Sequence, residues 1–208
     1  RRTSLRDHFL PDGVRTEELW KACHSELGDF AQGTYETEVT GKKVVLSRNG
    51  TFGLENPQQV QIRKQLRIVP GASRLEIRYD IRNNGAVAMN TLFGVEFAVN
   101  LLAGAAFDRC YRSDDRNLGY PRLGEHGCDE DLGHIALRDD WQHLEYGLRF
   151  SRPAQVHRFA IETVSQSEAG QERVYQGSVV LPCWRLVLAP GKTETLIVEV
   201  DIVEPAAP

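Results

Sequence analysis

Residues 59–102 read QVQIRKQLRIVPGASRLEIRYDIRNNGAVAMNTLFGVEFAVNLL, and this stretch decides the fold. Val60, Ile62, Leu66 and Ile68 share one side of an alternation broken only by Lys64, while Gln61, Arg63, Gln65 and Arg67 take the other. Beyond Pro70-Gly71-Ala72-Ser73 the pattern repeats, with Leu75, Ile77, Tyr79 and Ile81 inward and Glu76, Arg78, Asp80 and Arg82 outward. Successive side chains on a strand point to opposite faces, so a period of two means a sheet with one dry and one wet face. Asn83-Asn84-Gly85 is a turn that tolerates positive φ. Thr91 to Leu102 is apolar on both faces and reads as a more deeply buried strand. Antiparallel sheets can leave one face wet, and parallel ones usually cannot. The organising element is therefore an antiparallel sheet of a large β-sandwich.

Outward from this sheet the chain continues in strands. Tyr35–Val39 and Lys43–Ser47 precede it, with turns at Gly41-Lys42 and Asn49-Gly50. After it come Ile135–Leu137, Leu144–Phe150, Gln155–Val164, Val174–Leu188 and Thr195–Val203, with a turn over residues 165–170. One helix is expected. Thr16 is placed to cap it, Glu17 and Glu18 suit its first turn, Leu19, Cys23 and Leu27 share a face, and Gly28 ends it. The tail from Pro205 is expected to fray. The fold class is all-β, one domain over residues 1–208, with residues 1–36 forming an N-terminal segment that carries the helix.

Composition narrows the function. The 208 residues carry a net charge of −4, which gives no basic footprint for nucleic acid. Asn90, Glu96 and Asn100 interrupt the most apolar region, so no membrane span is expected, and Arg1-Arg2 leads into polar sequence rather than a signal peptide. Cys23, Cys110, Cys128 and Cys183 form no CxxC and no disulfide framework, which suits reduced thiols in the cytoplasm. The chain begins without Met, as a domain taken from a longer protein would. Nucleophile elbows, phosphate loops and nucleotide fingerprints are absent, and no cofactor is expected.

Residues 103–134 lose all periodicity and gather acids and histidines. Asp114, Asp115, Asp129, Glu130 and Asp131 offer oxygen ligands of the kind calcium takes, without EF-hand spacing, and read as a solvated loop. His126, Cys128 and His134 match no standard zinc spacing and read as surface residues, so no metal is expected. Glu96 faces away from Phe93, Val95 and Phe97, between Gly94 and Ala98, and a carboxylate on a buried strand needs a partner or a pocket. It either lines a sugar-binding hollow or makes a structural ion pair with an arginine of a neighbouring strand. Of the tryptophans, Trp184 reads as core and Trp141, after Asp139-Asp140, as exposed and able to stack on a sugar; Trp20 lies beside the helix face.

Several segments together are similar to the C-terminal β-domain of glycoside hydrolase family 57, the α-amylase and 4-α-glucanotransferase group. They are Arg2-Thr3-Ser4-Leu5-Arg6-Asp7-His8-Phe9-Leu10, Glu26-Leu27-Gly28-Asp29-Phe30 through Tyr35-Glu36, Phe93–Phe97, Glu162–Gly170 and Tyr175-Gln176-Gly177. The resemblance implies a twisted sandwich of the galactose-mutarotase supersandwich type, packed behind a catalytic (β/α)7 barrel that supplies the reacting carboxylates. No part of such a barrel lies in these residues, so no catalytic residue is assigned.

Three functions follow as expectations. The first is an accessory domain of an α-glucan-active hydrolase or transferase, supporting the barrel and holding α-glucan or maltooligosaccharide through Glu96, Trp141 and Gln176. The second is an enzyme like the aldose mutarotases, pairing Glu96 with His8 or His157 across a sugar ring. The third is a pure interaction module that binds its parent barrel, with Asp7, His8, Phe9 and Leu10 as the contact and an apolar patch on one flank.

Overall fold

The computed structural model describes residues 2–167 and 170–205. Among the described residues, eleven strands form one hydrogen-bonded set in which every pairing is antiparallel. The strands are β1 (Arg6–Leu10), β2 (Glu36–Thr40), β3 (Lys43–Phe52), β4 (Gln58–Ile68), β5 (Arg74–Asn83) and β6 (Met89–Val99), followed by β7 (Arg109–Arg112), β8 (Gly127–Asp139), β9 (Leu144–Ser167), β10 (Gly170–Leu188) and β11 (Thr193–Val203). Their order is β1-β6-β10-β9-β11-β5-β4-β3-β2, with β8 on the free side of β9 and β7 beyond it. The alternation read in residues 59–83 is real: Val60, Ile62, Ile77, Tyr79 and Ile81 are buried, and β6 is buried on both faces.

The strand that joins the layers is β9. Its first part, from Glu145 to Phe150, pairs with β11, and its second part, from Gln155 onward, pairs with β10. Between them lies Pro153, which has no N–H to give to a ladder. Beside this bend β8 shifts register twice, between Asp129 and His134, and Asp131 takes a φ of 52°. Bulges of this kind bend a strand from one sheet direction into another. Periodicity splits β9 in two at the proline; the strand is continuous from Leu144 to Ser167, and its ladder partner changes from β11 to β10 across that point.

The two ends of the sheet are protected differently. At β2 every residue is exposed, and Glu36 and Glu38 blunt the edge with charge. The edge at β1 is covered by the chain that follows the helix: Leu27 N donates to Phe9 O at 2.7 Å, and Gly53 N to Leu27 O at 2.7 Å. This pairing explains why the helix α1 (Thr16–Trp20) is far shorter than its sequence pattern. Leu27 is drawn onto β1, and Cys23 and Leu27 never join a helical face. The N-cap is Arg15, whose backbone N–H donates to Glu18 Oε2 at 3.0 Å, while the Thr16 hydroxyl turns inward to His157 Nδ1 at 2.8 Å.

Other boundaries move for similar reasons. Asn49-Gly50 is not a turn but lies within β3, where a Cβ at residue 50 would come within 2.8 Å of the Phe30 ring. The long loop contains β7 and the start of β8. Arg109 of β7 is buried against Asp139 at 2.7 Å, and the acids of β8 lie mostly on its wet face, which hides the strand from a hydrophobic reading. The turn expected over residues 165–170 tightens, because β9 runs to Ser167 and β10 resumes at Gly170; the two residues between lie outside the described ones.

Phe9 sits at the centre of the core, with the Phe30, Phe52 and Phe93 ring centroids 5.2, 5.6 and 5.4 Å away. Burying each such ring contributes about 1.5–3 kcal/mol. Directly beside it, Lys64 interrupts the apolar face of β4 and is only 2% exposed. Its Nζ lies 2.6 Å from Asp7 Oδ2 and donates to Leu5 O at 2.7 Å. Removing one partner of a buried pair strands the other charge. Lys64→Met is therefore expected to lose about 3–5 kcal/mol in urea unfolding. Lys64→Met with Asp7→Asn, which keeps an acceptor for Tyr35, should recover at least half of that loss.

Candidate functional site

The short strand β1 carries polar groups on both of its faces. Asp7 and Phe9 point into the main core, and His8 and Leu10 point toward α1 and the second apolar cluster. On the first face the Asp7 carboxylate accepts hydrogen bonds from Lys64 and from the Tyr35 hydroxyl. Lys64 Nζ also lies 4.2 Å from the Tyr35 ring centroid and 5.6 Å from that of Tyr79. Burial raises the Asp7 pKa, and the Lys64 charge pulls it back only in part.

On the second face a network runs through His8. Its Nδ1 meets Glu26 Oε1, and its Nε2 lies 3.5 Å from Glu96 Oε2. His24 Nε2 is 3.3 Å from the same oxygen of Glu26. Glu96 in turn accepts from Arg2 at 2.8 Å, and Arg2 continues to the backbone carbonyls of Leu19 and Trp20 at the end of α1. Burial works against charge on the His8 ring, but hydrogen bonds to Glu26 and Glu96 outweigh it and carry its pKa up to about 9. Burial likewise opposes charge on Glu96, and His8 and Arg2 overcome it and lower its pKa. Glu96 thus makes a structural ion pair with an arginine, but that arginine, Arg2, lies in the segment before β1 rather than on a neighbouring strand.

The structure distributes the other candidate residues widely. Asp7, His8, Phe9 and Leu10 are all buried inside this chain, so they are not a surface held ready for another domain. The reason is their pairing: β1 is a member strand, laid against β6 from Arg6↔Glu96 to Leu10↔Leu92. Trp141 is 76% exposed in the turn after β8, and Trp184 is core, as read. Gln176 is exposed on β10, where its amide donates to Thr163 Oγ1 at 3.2 Å. Among the described residues, no hydrogen bond, ion pair or ring contact links Trp141 or Gln176 to Glu96.

The acids of the irregular region are engaged separately. Asp114 pairs with Arg149 at 2.6 Å, Asp129 with Arg158 at 3.0 Å, and Asp115 accepts from Gly133 N and His134 N. His134 is buried rather than on the surface, because its Nδ1 accepts from Asp114 N at 3.0 Å. His126 stacks on Trp20, with centroids 4.6 Å apart.

Neither proposed acid–base pair is open to a sugar ring. Glu96 is 0% exposed and His8 3%. His157 is 1% exposed and faces Thr16 rather than a carboxylate. A groove of about 600 Å³ that is instead apolar lies on another flank, lined by Leu5, Ile68, Leu75, Phe97, Tyr146 and Ile202. Sequence reasoning missed His24 and Glu26 as partners of His8, since both sat in the residues assigned to the helix. Lys64 alone carried a signal, as the break in an otherwise perfect alternation.

These features define a supersandwich of the galactose-mutarotase type in which the buried Asp7, His8 and Glu96 are tied up in ion pairs. The solved structure of a putative aldose 1-epimerase from Escherichia coli K12 superposes with a TM-score of 0.66 at 10% identity, over 98% of this chain and 81% of that one. The 4-alpha-glucanotransferase from Thermococcus litoralis superposes at 0.75, with 21% identity, over 96% of this chain and 27% of that one. The family model described as "Alpha-amylase/4-alpha-glucanotransferase, C-terminal" matches residues 1–194, and the chain belongs to that family. "Alpha-amylase 1" of Dictyoglomus thermophilum is 28% identical over 195 residues, and a "4-alpha-glucanotransferase" of Thermococcus kodakarensis 25% identical over 176. The matches cover 93% and 85% of this chain but only 27% and 23% of those proteins, so the chain spans about a quarter of their length.

His157 gives this region a pH signature. Burial lowers its pKa to about 4 from an unfolded value of about 6.5. The folded state therefore holds fewer protons than the unfolded one between those values, and stability falls as pH drops through that window. Urea unfolding of the wild type is expected to lose about 2 kcal/mol more between pH 7 and pH 5 than that of His157→Gln.

Proposed function

We propose that this chain is the accessory β-domain of an α-glucan-active enzyme, a hydrolase or a 4-α-glucanotransferase, whose chemistry resides in a separate catalytic barrel. The observation that carries this reading is the family match along nearly the whole chain, combined with relatives about four times as long. The burial of Glu96, His8 and His157 supports it, because neither of the acid–base pairs Glu96–His8 and Glu96–His157 faces a space that admits a sugar. The mutarotase-like alternative lacks that space.

The domain supports its barrel through the apolar groove rather than through β1. Ile68 and Ile202 are exposed along it, and an apolar groove of this size marks an interaction surface. Carbohydrate contact falls to Trp141, the one tryptophan with a largely open ring, rather than to the enclosed Glu96 or to Gln176. The four free cysteines suit a reducing, cytoplasmic setting.

The 208-residue chain expressed alone is expected to unfold cooperatively, to release no sugar from maltooligosaccharides, and to leave glucose mutarotation in a polarimeter at its uncatalysed rate. Sugar release would place a catalytic pair in this chain. Accelerated mutarotation that disappears in Glu96→Gln would favour the epimerase-like reading. Maltotriose is expected to change tryptophan fluorescence in the wild type and not in Trp141→Ala.

A further inference from the structure

We infer that His8, His24 and Glu26 form a binding site for one divalent zinc-type cation that clips the loop after α1 onto β1. His8 comes from β1, and His24 and Glu26 come from the covering loop, so the three ligands join two segments of chain. One nitrogen of each imidazole and one oxygen of the carboxylate all lie within 4.8 Å of one another.

The geometry is that of a metal ligand set rather than of a chain of hydrogen bonds. Both imidazoles converge on the same carboxylate oxygen, Glu26 Oε1. Ligands at about 2.0–2.1 Å from a tetrahedral zinc stand roughly 3.3 Å apart, which is the distance from His24 Nε2 to Glu26 Oε1. The His8–Glu26 contact is closer, and the partly exposed Glu26 side chain can swing outward to admit the ion. Two imidazoles and one carboxylate suit zinc better than calcium or magnesium, which take oxygen ligands.

A second observation concerns the far side of the ligands. A metal-bound histidine commonly offers its other ring nitrogen to a carboxylate, which fixes the ring and strengthens the ligand. His8 is placed for that arrangement: Nδ1 faces the ligand cluster, while Nε2, which has no hydrogen-bond partner in the metal-free chain, lies 3.5 Å from Glu96 Oε2, which Arg2 pins at 2.8 Å. His24 Nε2 faces the cluster at 3.3 Å from Glu26 Oε1, while its other nitrogen, Nδ1, is buried without a hydrogen-bond partner, so the outer-shell carboxylate is a feature of His8 and not of His24. The ion then holds together two segments that are otherwise joined by Leu27 N to Phe9 O and Phe9 N to Glu26 Oε2.

The probes are Zn²⁺ and Co²⁺ alone, added to the metal-free full chain. Calorimetry is expected to give one Zn²⁺ per chain with proton release, and Zn²⁺ should raise the melting temperature reversibly on chelation. Co²⁺ should give the intense visible bands of a low-symmetry site with nitrogen ligands. Loss of an outer-shell partner alone weakens metal sites by about 10–100-fold, so His24→Ala should weaken Zn²⁺ binding at least tenfold. His24→Gln, which keeps side-chain volume, should do the same, and both should retain the metal-free melting temperature. His143→Ala, in the exposed turn after β8, should bind as the wild type does. Absence of saturable one-to-one binding would overturn the site, as would equal affinity in wild type and His24→Ala, or a loss in His143→Ala matching that in His24→Ala.

Discussion

A lysine and an aspartate buried together hold this sandwich in register. Lys64 stands where β4 should carry an aliphatic side chain, and Asp7 stands where β1 should carry one. Neither charge is tolerable alone in that position, since an isolated ion in the interior costs several kcal/mol. Their meeting fixes β1 opposite the middle of β4, with Tyr35 bonding the carboxylate and the Tyr35 and Tyr79 rings flanking the ammonium. An apolar pair could slide by two residues and bury nearly as much surface, but this pair cannot. The N-terminal strand is thereby pinned to one register, and with it everything that β1 positions.

Two consequences follow from that pinning. With Asp7 fixed inward, His8 must point to the other face of β1, where Glu26 and Glu96 receive it. Arg2 then closes over Glu96 and reaches the end of α1. The sheet and the helical connection are held by polar pairs on one side of β1 and by the Phe9 ring cluster on the other. The same closure leaves Glu96 and His8 buried among their own partners.

Much of this was legible in the sequence where one rule governed the residues. The alternation of Val60, Ile62, Ile77, Tyr79 and Ile81 named the sheet and its dry face, and the doubly apolar run named β6 as central. Glu96 announced its need for a partner, but the partner, Arg2, lies 94 residues away and leaves no local trace. The helical spacing of Leu19, Cys23 and Leu27 misled because tertiary pairing of Leu27 with Phe9 overrides so short a helix. The start of β8 was hidden by its wet face, where Glu130 and Asp131 carry loop-like composition on a strand. Asp7-His8-Phe9-Leu10 looked available for a partner because sequence position says nothing about which strand covers which.

β1 is a locked member of the sheet rather than a tail laid upon it. Amide hydrogen exchange of the native protein measures this directly, residue by residue. The β1 amides bonded to β6 should open only with global unfolding, with the same free energy as the β6 and β10 amides. Exchange of the β1 amides through a separate, much cheaper opening, while β6 and β10 stay protected, would contradict it.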